Sequence, residues 1–402
     1  MTLAQLQQLS EEYGSAFYLL NSAQFSQNFA ELKSAFTDIY PNTNIAYSYK
    51  TNYIPTLCRN VDSLGGFAEV VSDMELEIAL RIGVTPEKII WNGPYKNPQK
   101  FEQLLIMGGQ VNIDSVHELT VLKQISAKYP NHTLNIGIRV NFEINDNTVS
   151  RFGIDVESQD FADTLKTIKQ LPNVNLIGFQ CHYATRILET WRPRAEKMLN
   201  LLDRIGIIPQ RIDLGGGLYG KIDESLKAQF NVYIPTYQEY AEAVAPVFAK
   251  RFKGTPNPPL LLIEPGSALV GDCMSFVAKV ETIKNIRGNN IATLHGSTHN
   301  ININGKNPPL TVYPLSQNRQ EYANVNFVGY TCIESDVLYR GYNGLLGEGD
   351  FVEFGNAGSY SIVLKPPFIL PNFPVIDISQ GKTILIKRGE TFDDIFHTYS
   401  FA

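Results

Sequence analysis

The sequence predicts an α/β fold: a (β/α)8 barrel of the TIM type, followed by a β-rich C-terminal domain of sandwich-like or barrel-like form. One observation is length, because 402 residues are long for one domain and favour a large and a smaller one. Another is an alternation of apolar, β-branched runs with segments of helical period over residues 44–264. Beyond residue 270, strand-like runs are instead separated by glycine, asparagine and proline turns.

The barrel elements follow in order along the chain. A short apolar run at 15–20, which we interpret as a strand of the second domain, precedes a helical pattern at 24–36. Eight strand-like runs then follow, at 44–49, 66–71, 88–91, 111–114, 133–140, 175–181, 211–214 and 259–264. Serine followed three residues later by glutamate fits a helix-capping box at 72–75 and at 115–118. A doubly wound open sheet is the competing arrangement of these strands.

The second domain has a different pattern of predicted elements. Its strand-like runs lie at 274–286, 291–294, 324–330, 350–354 and 383–387. A helical pattern covers 338–345. We therefore expect a barrel over residues 24–270, and a β-rich domain made of residues 1–23 and 271–402. No linker or internal repeat separates the two domains, so they are expected to pack closely.

Composition and charge exclude several classes of function. The net charge of −6 gives no electrostatic reason to bind nucleic acid or an anionic membrane surface. The polar segment 1–14 lacks the apolar core of a signal peptide and no stretch approaches a transmembrane span, so a cytoplasmic location is expected. The four cysteines are scattered, which predicts free thiols. His295 and His299 stand in a Gly/Asn-rich stretch where a helix is not expected, so no metal site is predicted.

The stretch 44–52 places a lysine where an active-site amine is expected. Bulky residues alternate with small or polar ones, so the two sets point to opposite faces of a strand. If the bulky set packs against covering helices, the small set lines the barrel interior and Lys50 comes last. A lysine at the inner, C-terminal end of a barrel strand belongs to the face that carries active sites.

The other strands end in groups with matching chemistry. If the barrel closes, their C-terminal ends meet on one rim. The residues on that rim are Lys50, Glu69, Asp114, Arg139, His182, Gly215, Gly216, Gly217 and Glu264.

Three of these features predict a phosphorylated aromatic cofactor. The glycines after the seventh strand allow backbone N–H groups to cradle a phosphate, and barrel phosphate sites typically follow strands 7 and 8. Glu264 ends the eighth strand, and a buried carboxylate there needs a proton-bearing or cationic partner. His182 offers a flat group against a bound ring. With Lys50 available for a Schiff base, the set predicts pyridoxal 5'-phosphate, its ring nitrogen kept protonated by Glu264.

These motifs resemble the alanine-racemase-fold, or fold-type III, pyridoxal-phosphate decarboxylases, which include the ornithine, diaminopimelate and carboxynorspermidine decarboxylases. The resemblance covers nearly the whole chain and follows the family's order. The matching segments are Tyr47–Asn52 with the Schiff-base lysine, Glu69–Leu76, Arg151–Gly153, Gly178–Thr185, Gly215–Gly217, Glu264–Gly266, Cys332 with Asp336, and Gly358–Ser361.

The resemblance implies further roles and an assembly. Thr185 and Tyr360 are expected near the phosphate, and Arg139 is expected to support Glu69 or His182. Cys332 is expected to come from the partner subunit of a homodimer and to reprotonate Cα, so that the β-rich domain contributes to both site and dimer. The resemblance also places Gly266 and Ser267 at the cofactor, and Cys332, Glu334, Asp336 and Tyr360 at the substrate.

Departures from the family pattern bear on the substrate. Ser267 stands where the family has an arginine that contacts phosphate or substrate carboxylate, and serine brings no charge. Diaminopimelate decarboxylases have glutamate directly after the cysteine, but here Ile333 follows Cys332 and Glu334 comes one place later. Both departures argue against diaminopimelate. The tail 358–369 resembles decarboxylases of siderophore and antibiotic pathways.

We therefore expect an α-decarboxylase of an amino acid or amino-acid-like carboxylate, either free or linked to citrate or a carrier. An amino-acid racemase on the same fold is one alternative, although racemases of this fold generally place arginine, not glutamate, at the ring nitrogen. A catalytically silent regulatory homologue is the other. Arg186, Arg340 and Glu334 are candidates for reading the substrate, but each is equally compatible with a solvated surface charge.

Overall fold

The computed structural model describes residues 1–146, 148–302 and 305–400. Its internal contacts divide the chain into two compact units. A barrel unit comprises residues 26–219 and 233–268, and a β-rich unit comprises residues 1–25, 220–232 and 269–402.

The barrel unit contains the eight predicted strands. They are β2 (Thr43–Ser48), β3 (Phe67–Val70), β4 (Ile89–Trp91), β5 (Gln110–Ile113), β6 (Leu134–Asn141), β8 (Val174–Gln180), β9 (Arg211–Asp213) and β10 (Leu260–Ile263). The strands pair in the order β5-β4-β3-β2-β10-β9-β8-β6, and β6 pairs with β5, which closes the ring. A short strand β7 (Ile154–Asp155) adds to β6. All these pairings are parallel, so the predicted closed barrel is confirmed and the open sheet is excluded.

Helices connect the barrel strands. They are α2 (Ser22–Thr37), α3 (Pro55–Ser63), α4 (Asp73–Arg81), α5 (Pro98–Ile106), α6 (Val116–Lys128), α7 (Gln159–Lys169), α8 (Trp191–Ile205) and α10 (Tyr237–Arg251). Both capping boxes differ from the prediction. Ser72 accepts from the Glu75 N–H, but the Glu75 carboxylate accepts from Val71 N instead of closing the box. Similarly, Glu118 accepts from Asp114 N at 2.7 Å, one residue before Ser115.

Small and apolar side chains pack together in one part of the barrel interior. Ala46 of β2 packs with Ile90 of β4 and Leu262 of β10. Because β3 separates β2 from β4 in the sheet, these side chains meet across the inside of the barrel. This arrangement agrees with the predicted inward face of the stretch around Lys50.

The β-rich unit is a second sheet. Its strands are β1 (Ala16–Leu20), β11 (Met274–Ile286), β12 (Asn289–Leu294), β13 (Leu310–Tyr313), β14 (Gln320–Val328), β15 (Val337–Leu346), β16 (Phe351–Phe354), β17 (Val375–Asp377) and β18 (Ile384–Lys387). They follow the order β15-β14-β12-β11-β1-β17-β18, while β16 pairs with β11 and β13. As predicted, the early strand β1 belongs here, because Ala16 pairs antiparallel with Ala278.

Several elements of this unit differ from the prediction. The helix expected at 338–345 is wrong, because these residues form β15, which pairs antiparallel with β14. Helix α1 (Leu3–Tyr13) was missed, although Thr2 and Gln5 form a complete capping box. Its Leu6 and Leu9 pack on β1. The remaining short helices are α9 (Glu224–Lys227), α11 (Ser267–Val270), α12 (Ser361–Leu364) and α13 (Phe392–Phe396).

The segment 220–232 groups with the β-rich unit, whereas the sequence-based boundary of 24–270 places it in the barrel. The physical reason is local pairing. Gln229 Nε2 donates to Asn307 O and Gln229 Oε1 accepts from Asn307 N, each at 2.8 Å. Lys306 Nζ also lies 4.7 Å from the ring centroid of Phe230. In the described ranges, no helix is long and apolar enough to cross a membrane.

Candidate active site

Lys50 lies just beyond the end of β2, in a single 3-10 turn, Tyr49–Thr51. The strand therefore ends at Ser48, one residue before the predicted end at residue 49. Lys50 Nζ lies 2.6 Å from Glu69 Oε2 at the end of β3 and 3.4 Å from Ser48 Oγ. Glu69 is buried, whereas the Lys50 side chain is 31% exposed, so the amine stands at the open end of the barrel.

The pairing with Lys50 controls the charge of Glu69. Burial acts to raise the pKa of Glu69, but the Lys50 charge and its hydrogen bond outweigh burial, and the pKa is lowered. The pair is thus a carboxylate and an ammonium group in direct contact. Such a carboxylate orients the amine.

Glu264 is buried directly after β10 and is held by two side-chain amides. Asn92 Nδ2 donates to Oε1 at 2.5 Å, and Gln180 Nε2 donates to Oε2 at 3.1 Å. Burial, then the nearby Asp213 and Glu69, raises the pKa of Glu264 well above its usual range. A cationic group placed beside Glu264 would reverse this effect and favour the carboxylate.

A buried amide network links these two carboxylates. The Asn92 amide also donates to Glu69 Oε1 at 3.1 Å, so one side chain joins the partner of Lys50 to Glu264. Asn112 Nδ2 donates to Asn92 Oδ1 at 2.6 Å, and Arg211 Nη2 donates to Asn112 Oδ1 at 2.7 Å. This network was not predicted from the sequence. The feature of the sequence that could have revealed it is a polar residue inside or directly after an apolar strand run, such as Asn112 or Asn92.

The three glycines after β9 form a tight turn against the segment that follows β8. Gly215 has φ +70° and Gly217 has φ +90°. A Cβ on Gly215 would lie 2.4 Å from the Cys181 carbonyl oxygen, and one on Gly217 would lie 2.5 Å from the Thr185 carbonyl oxygen. The backbone conformation and the close approach therefore both require glycine. Arg194 Nη1 fixes the turn from behind by donating to the carbonyl oxygens of residues 214 and 216.

His182 is held as a neutral ring at this turn. The Gly216 N–H donates to His182 Nδ1 at 2.9 Å, which assigns the ring proton to Nε2. Burial, then the charges of Lys50 and Arg139, lowers the pKa of His182 well below its usual value. His182 Nδ1 lies 3.7 Å from Glu264 Oε2, so the imidazole stands beside the buried carboxylate.

Arg139 has a different partner from the predicted ones. Its Nη1 lies 3.3 Å from Asp114 Oδ1, and its guanidinium lies over the Phe152 ring. This ion pair takes the place of the contact that was expected between Arg139 and Glu69 or His182. It also gives Asp114, another residue of the predicted rim, its partner. Beside it, Lys96 Nζ and Glu118 Oε1 form a buried ion pair at 2.8 Å. These residues therefore stabilise the rim at β5 and β6.

The turn after β10 packs against the turn that carries Lys50. A Cβ on Gly266 would lie 2.0 Å from Thr51 Oγ1 and 3.3 Å from Ser48 Cβ. Ser48 N donates to the Pro265 carbonyl oxygen at 3.1 Å. Ser267 follows directly, and its Oγ lies 3.4 Å from Arg186 Nη2. The two glycine turns and Lys50 thus belong to one rim.

The other predicted site residues lie in the β-rich unit. Cys332 and Glu334 are exposed, and Tyr360 has φ +60° just before α12. Asp336 is buried and accepts from Ser297 Oγ, Thr298 N and Thr331 Oγ1 at 2.6–3.0 Å. Its carboxylate is therefore used to hold the loop that carries Cys332, which differs from the substrate contact expected for it.

The barrel rim is suited to pyridoxal 5'-phosphate. It combines an accessible amine, a cradle of glycines and a buried carboxylate that a cationic ring nitrogen would stabilise. In the part of the chain that the structure describes, no cluster of histidine, cysteine, aspartate and glutamate could hold a metal ion.

Comparisons with known proteins agree with this chemistry. Residues 23–271 match the family model "Pyridoxal-dependent decarboxylase, pyridoxal binding domain". The diaminopimelate decarboxylase of Methanocaldococcus jannaschii is 26% identical over 96% of this chain and 92% of its own length. That of Archaeoglobus fulgidus is 25% identical over 96% and 93%.

Solved structures agree on the fold. The crystal structure of the Methanocaldococcus jannaschii enzyme has a TM-score of 0.87 and 24% identity, and the match covers 98% of this chain and 94% of the other. The predicted cofactor, reaction class and fold are thereby confirmed. The chain belongs to the fold-type III pyridoxal-dependent decarboxylases, the ornithine and diaminopimelate decarboxylase family, whose members use pyridoxal 5'-phosphate to decarboxylate amino acids.

Proposed function

We propose that this chain catalyses α-decarboxylation of an amino acid or amino-acid-like carboxylate, with Lys50 as the residue that carries the cofactor. The observation that supports this role is the contact of Lys50 with Glu69 at the open end of the barrel. The bound cofactor supplies an electron sink for the pair left at Cα when the carboxyl group departs. The other tasks fall to side chains and backbone groups of the protein.

Glu264 and His182 are the proposed partners of the cofactor ring. A carboxylate with a raised pKa accepts a proton readily and returns to its charged form beside a cation. Glu264 would hold a proton at the ring nitrogen in this way. His182, neutral and fixed by Gly216, would pack its flat ring on the cofactor and bring no charge of its own.

The two glycine turns are the proposed phosphate site. The N–H groups of Gly215 and Gly216 donate to Asp213 Oδ1 and His182 Nδ1. Gly217 and Gly266 would therefore supply the backbone N–H groups of the site, and Ser267 and Thr185 flank them. Tyr360 is the proposed contribution of the β-rich unit. Such a site holds phosphate chiefly through backbone N–H and hydroxyl groups.

Cys332 is the proposed donor of the proton that returns to Cα. It is an exposed thiol on a loop that Asp336 holds in shape, which suits a group that must be both reachable and positioned. We propose that Cys332 acts on the site of a partner subunit, which requires a homodimer with shared active sites.

Subunit complementation tests this shared site. Lys50→Ala and Cys332→Ala variants, each inactive alone, are to be unfolded together, refolded with cofactor and assayed. Random pairing makes half of the dimers mixed, with one intact site of two in each, so activity should return to about a quarter of wild type. No recovery from a mixture shown by mass to contain mixed dimers would refute a site shared between subunits.

The substrate is proposed to differ from diaminopimelate, the substrate named for the relatives above. Serine replaces a guanidinium at Ser267, and Ile333, 39% exposed, follows Cys332 where a glutamate would be needed. CO₂ release should be measured on ornithine, lysine, diaminopimelate, carboxynorspermidine and citrate-linked amino acids. Release from one compound other than diaminopimelate supports the proposal. Release from diaminopimelate alone contradicts it, and enantiomer exchange without CO₂ would indicate a racemase.

A further inference from the structure

Arg186 lies between the two glycine turns of the barrel rim. It follows Thr185, whose carbonyl oxygen would be 2.5 Å from a Cβ on Gly217. Its Nη2 lies 3.4 Å from Ser267 Oγ, in the residue directly after Gly266. Gly266 in turn packs against Ser48 and the turn of Lys50. The guanidinium is therefore attached to the same rim as the amine.

The position of Arg186 is fixed by one buried phenol. Tyr240 OH donates to the Arg186 carbonyl oxygen at 2.6 Å and accepts from Tyr219 N at 3.2 Å. The Arg186 guanidinium lies over the Tyr219 ring, 5.2 Å from its centroid. Tyr240 thus anchors both the arginine and the ring on which it stacks. The main chain of Arg186 is held by this hydrogen bond, and its guanidinium is oriented by the Tyr219 ring and Ser267. This partial ordering reduces the side-chain entropy that is lost when the guanidinium binds an anion.

The charge of Arg186 has no carboxylate partner among the described residues. Its side-chain contacts are the Ser267 hydroxyl and the Tyr219 ring. Arg139 and Arg192 of the same unit are, by contrast, paired with Asp114 and Glu196. A half-buried guanidinium with only neutral neighbours is suited to an anion that comes from outside the chain.

We propose that Arg186 is the cationic residue of the cofactor's phosphate site. This inference deepens the proposed function and rests on it for the place of the cofactor. Glycine turns supply backbone N–H groups but no charge, whereas a guanidinium presents two parallel donors that match phosphate oxygens. The contact between Arg186 and Ser267 brings that charge to the end of the Glu-Pro-Gly turn. The residue that follows this turn in the sequence, Ser267, is itself neutral.

The test compares pyridoxal 5'-phosphate with pyridoxal, which lacks the phosphate. Binding of each to cofactor-free protein is followed by absorbance for wild type, Arg186→Gln and Arg186→Lys. The matched control is Arg192→Gln, which removes the same charge from an arginine whose side chain is 66% exposed. For Arg186→Gln, pyridoxal 5'-phosphate should bind about ten- to a hundredfold more weakly, the effect of losing a charge-assisted hydrogen bond, while pyridoxal is unaffected. Arg186→Lys should fall between the two, and the control should match wild type.

The other outcomes separate the sources of the anion. Unchanged affinity for pyridoxal 5'-phosphate with a raised KM for substrate would overturn the proposal in favour of a substrate carboxylate. An equal loss for both ligands would indicate a change of fold and would also overturn it. If wild type itself does not prefer pyridoxal 5'-phosphate over pyridoxal, the proposed function fails. If wild type shows the preference and Arg186→Gln keeps it, only this inference fails.

Discussion

Replacing Glu264 with glutamine should remove most decarboxylase activity while leaving the fold nearly as stable as before. Both carboxylate oxygens accept from amide NH2 groups, of Asn92 and of Gln180. Glutamine must therefore turn its own NH2 group towards one of them. Asn92 is fixed by its contacts with Glu69 and Asn112, but Gln180 Oε1 has no hydrogen-bond partner in the described structure. Rotation of the Gln180 amide lets that oxygen accept from the new NH2 group.

The magnitude follows from this count of hydrogen bonds. Glutamine keeps both contacts and resembles the protonated form that the raised pKa of Glu264 favours, so the free energy of unfolding should change by less than about 1 kcal/mol. Leucine leaves one N–H of Asn92 and one N–H of Gln180 without an acceptor, although Asn92 still donates to Glu69. At about 1–3 kcal/mol for each N–H, the predicted loss is about 2–6 kcal/mol. Activity should fall by about 10²- to 10³-fold in the glutamine variant, because the charge that holds the ring proton is gone.

Urea denaturation of the cofactor-free variants and CO₂ release from the loaded enzymes provide the assay. The decisive result concerns the glutamine variant, whose unfolding free energy should stay near that of wild type while its kcat falls. A glutamine variant that is as active as wild type would refute the role assigned to Glu264. A glutamine variant as unstable as the leucine variant would refute the rearrangement of Gln180.

Three further changes test the energetics of the site. The pKa of Glu75 is raised to about 7, mainly by burial, so its contribution to stability is present below pH 4.5 and is lost as pH rises through 7. Between pH 4.5 and 7 the ionisation of Glu75 should lower the unfolding free energy of wild type by about 3 kcal/mol. This decrease should be absent in Glu75→Gln, as measured by denaturation at several pH values. Lys96→Met leaves Glu118 buried without its cation and should cost about 3–5 kcal/mol in the same assay, and adding Glu118→Gln should restore at least half. If the free-energy losses of the two single substitutions simply add in the double variant, the coupling between Lys96 and Glu118 is contradicted. Gly216→Ala places a Cβ 2.4 Å from the Glu264 carbonyl oxygen, so cofactor affinity in an absorbance titration should fall at least about tenfold. If Gly216→Ala binds the cofactor as tightly as wild type, the turn can accommodate a Cβ and the reasoning is wrong.

The strands and the groups at their ends could be predicted because both follow from local rules. Apolar runs of strand length identified all eight barrel strands to within one residue at each end. Parallel strands bring their C-terminal ends together, so Lys50, His182 and Glu264 were placed on one rim before any contact was known. These residue types predict the cofactor, whereas the reaction class was predicted from the resemblance of the motifs to the fold-type III decarboxylases.

Side-chain partners could not be predicted in the same way. Asn92, Asn112 and Gln180 follow or lie within apolar runs, and their partners depend on which strands face each other across the barrel. Arg139 lies near both Asp114 and His182, and only geometry decides that Asp114 is its partner. The strand at 337–346 was mistaken for a helix because strand preference depends on pairing with a neighbour.

The central claim is that Lys50 carries the cofactor at the open end of the barrel. The direct measurement is borohydride reduction of the cofactor-loaded protein, followed by proteolysis and mass mapping of the labelled peptide. The account predicts that the reduced pyridoxyl group is found on Lys50, and that Lys50→Ala incorporates none. Label on another lysine, or equal label in Lys50→Ala, would contradict the account.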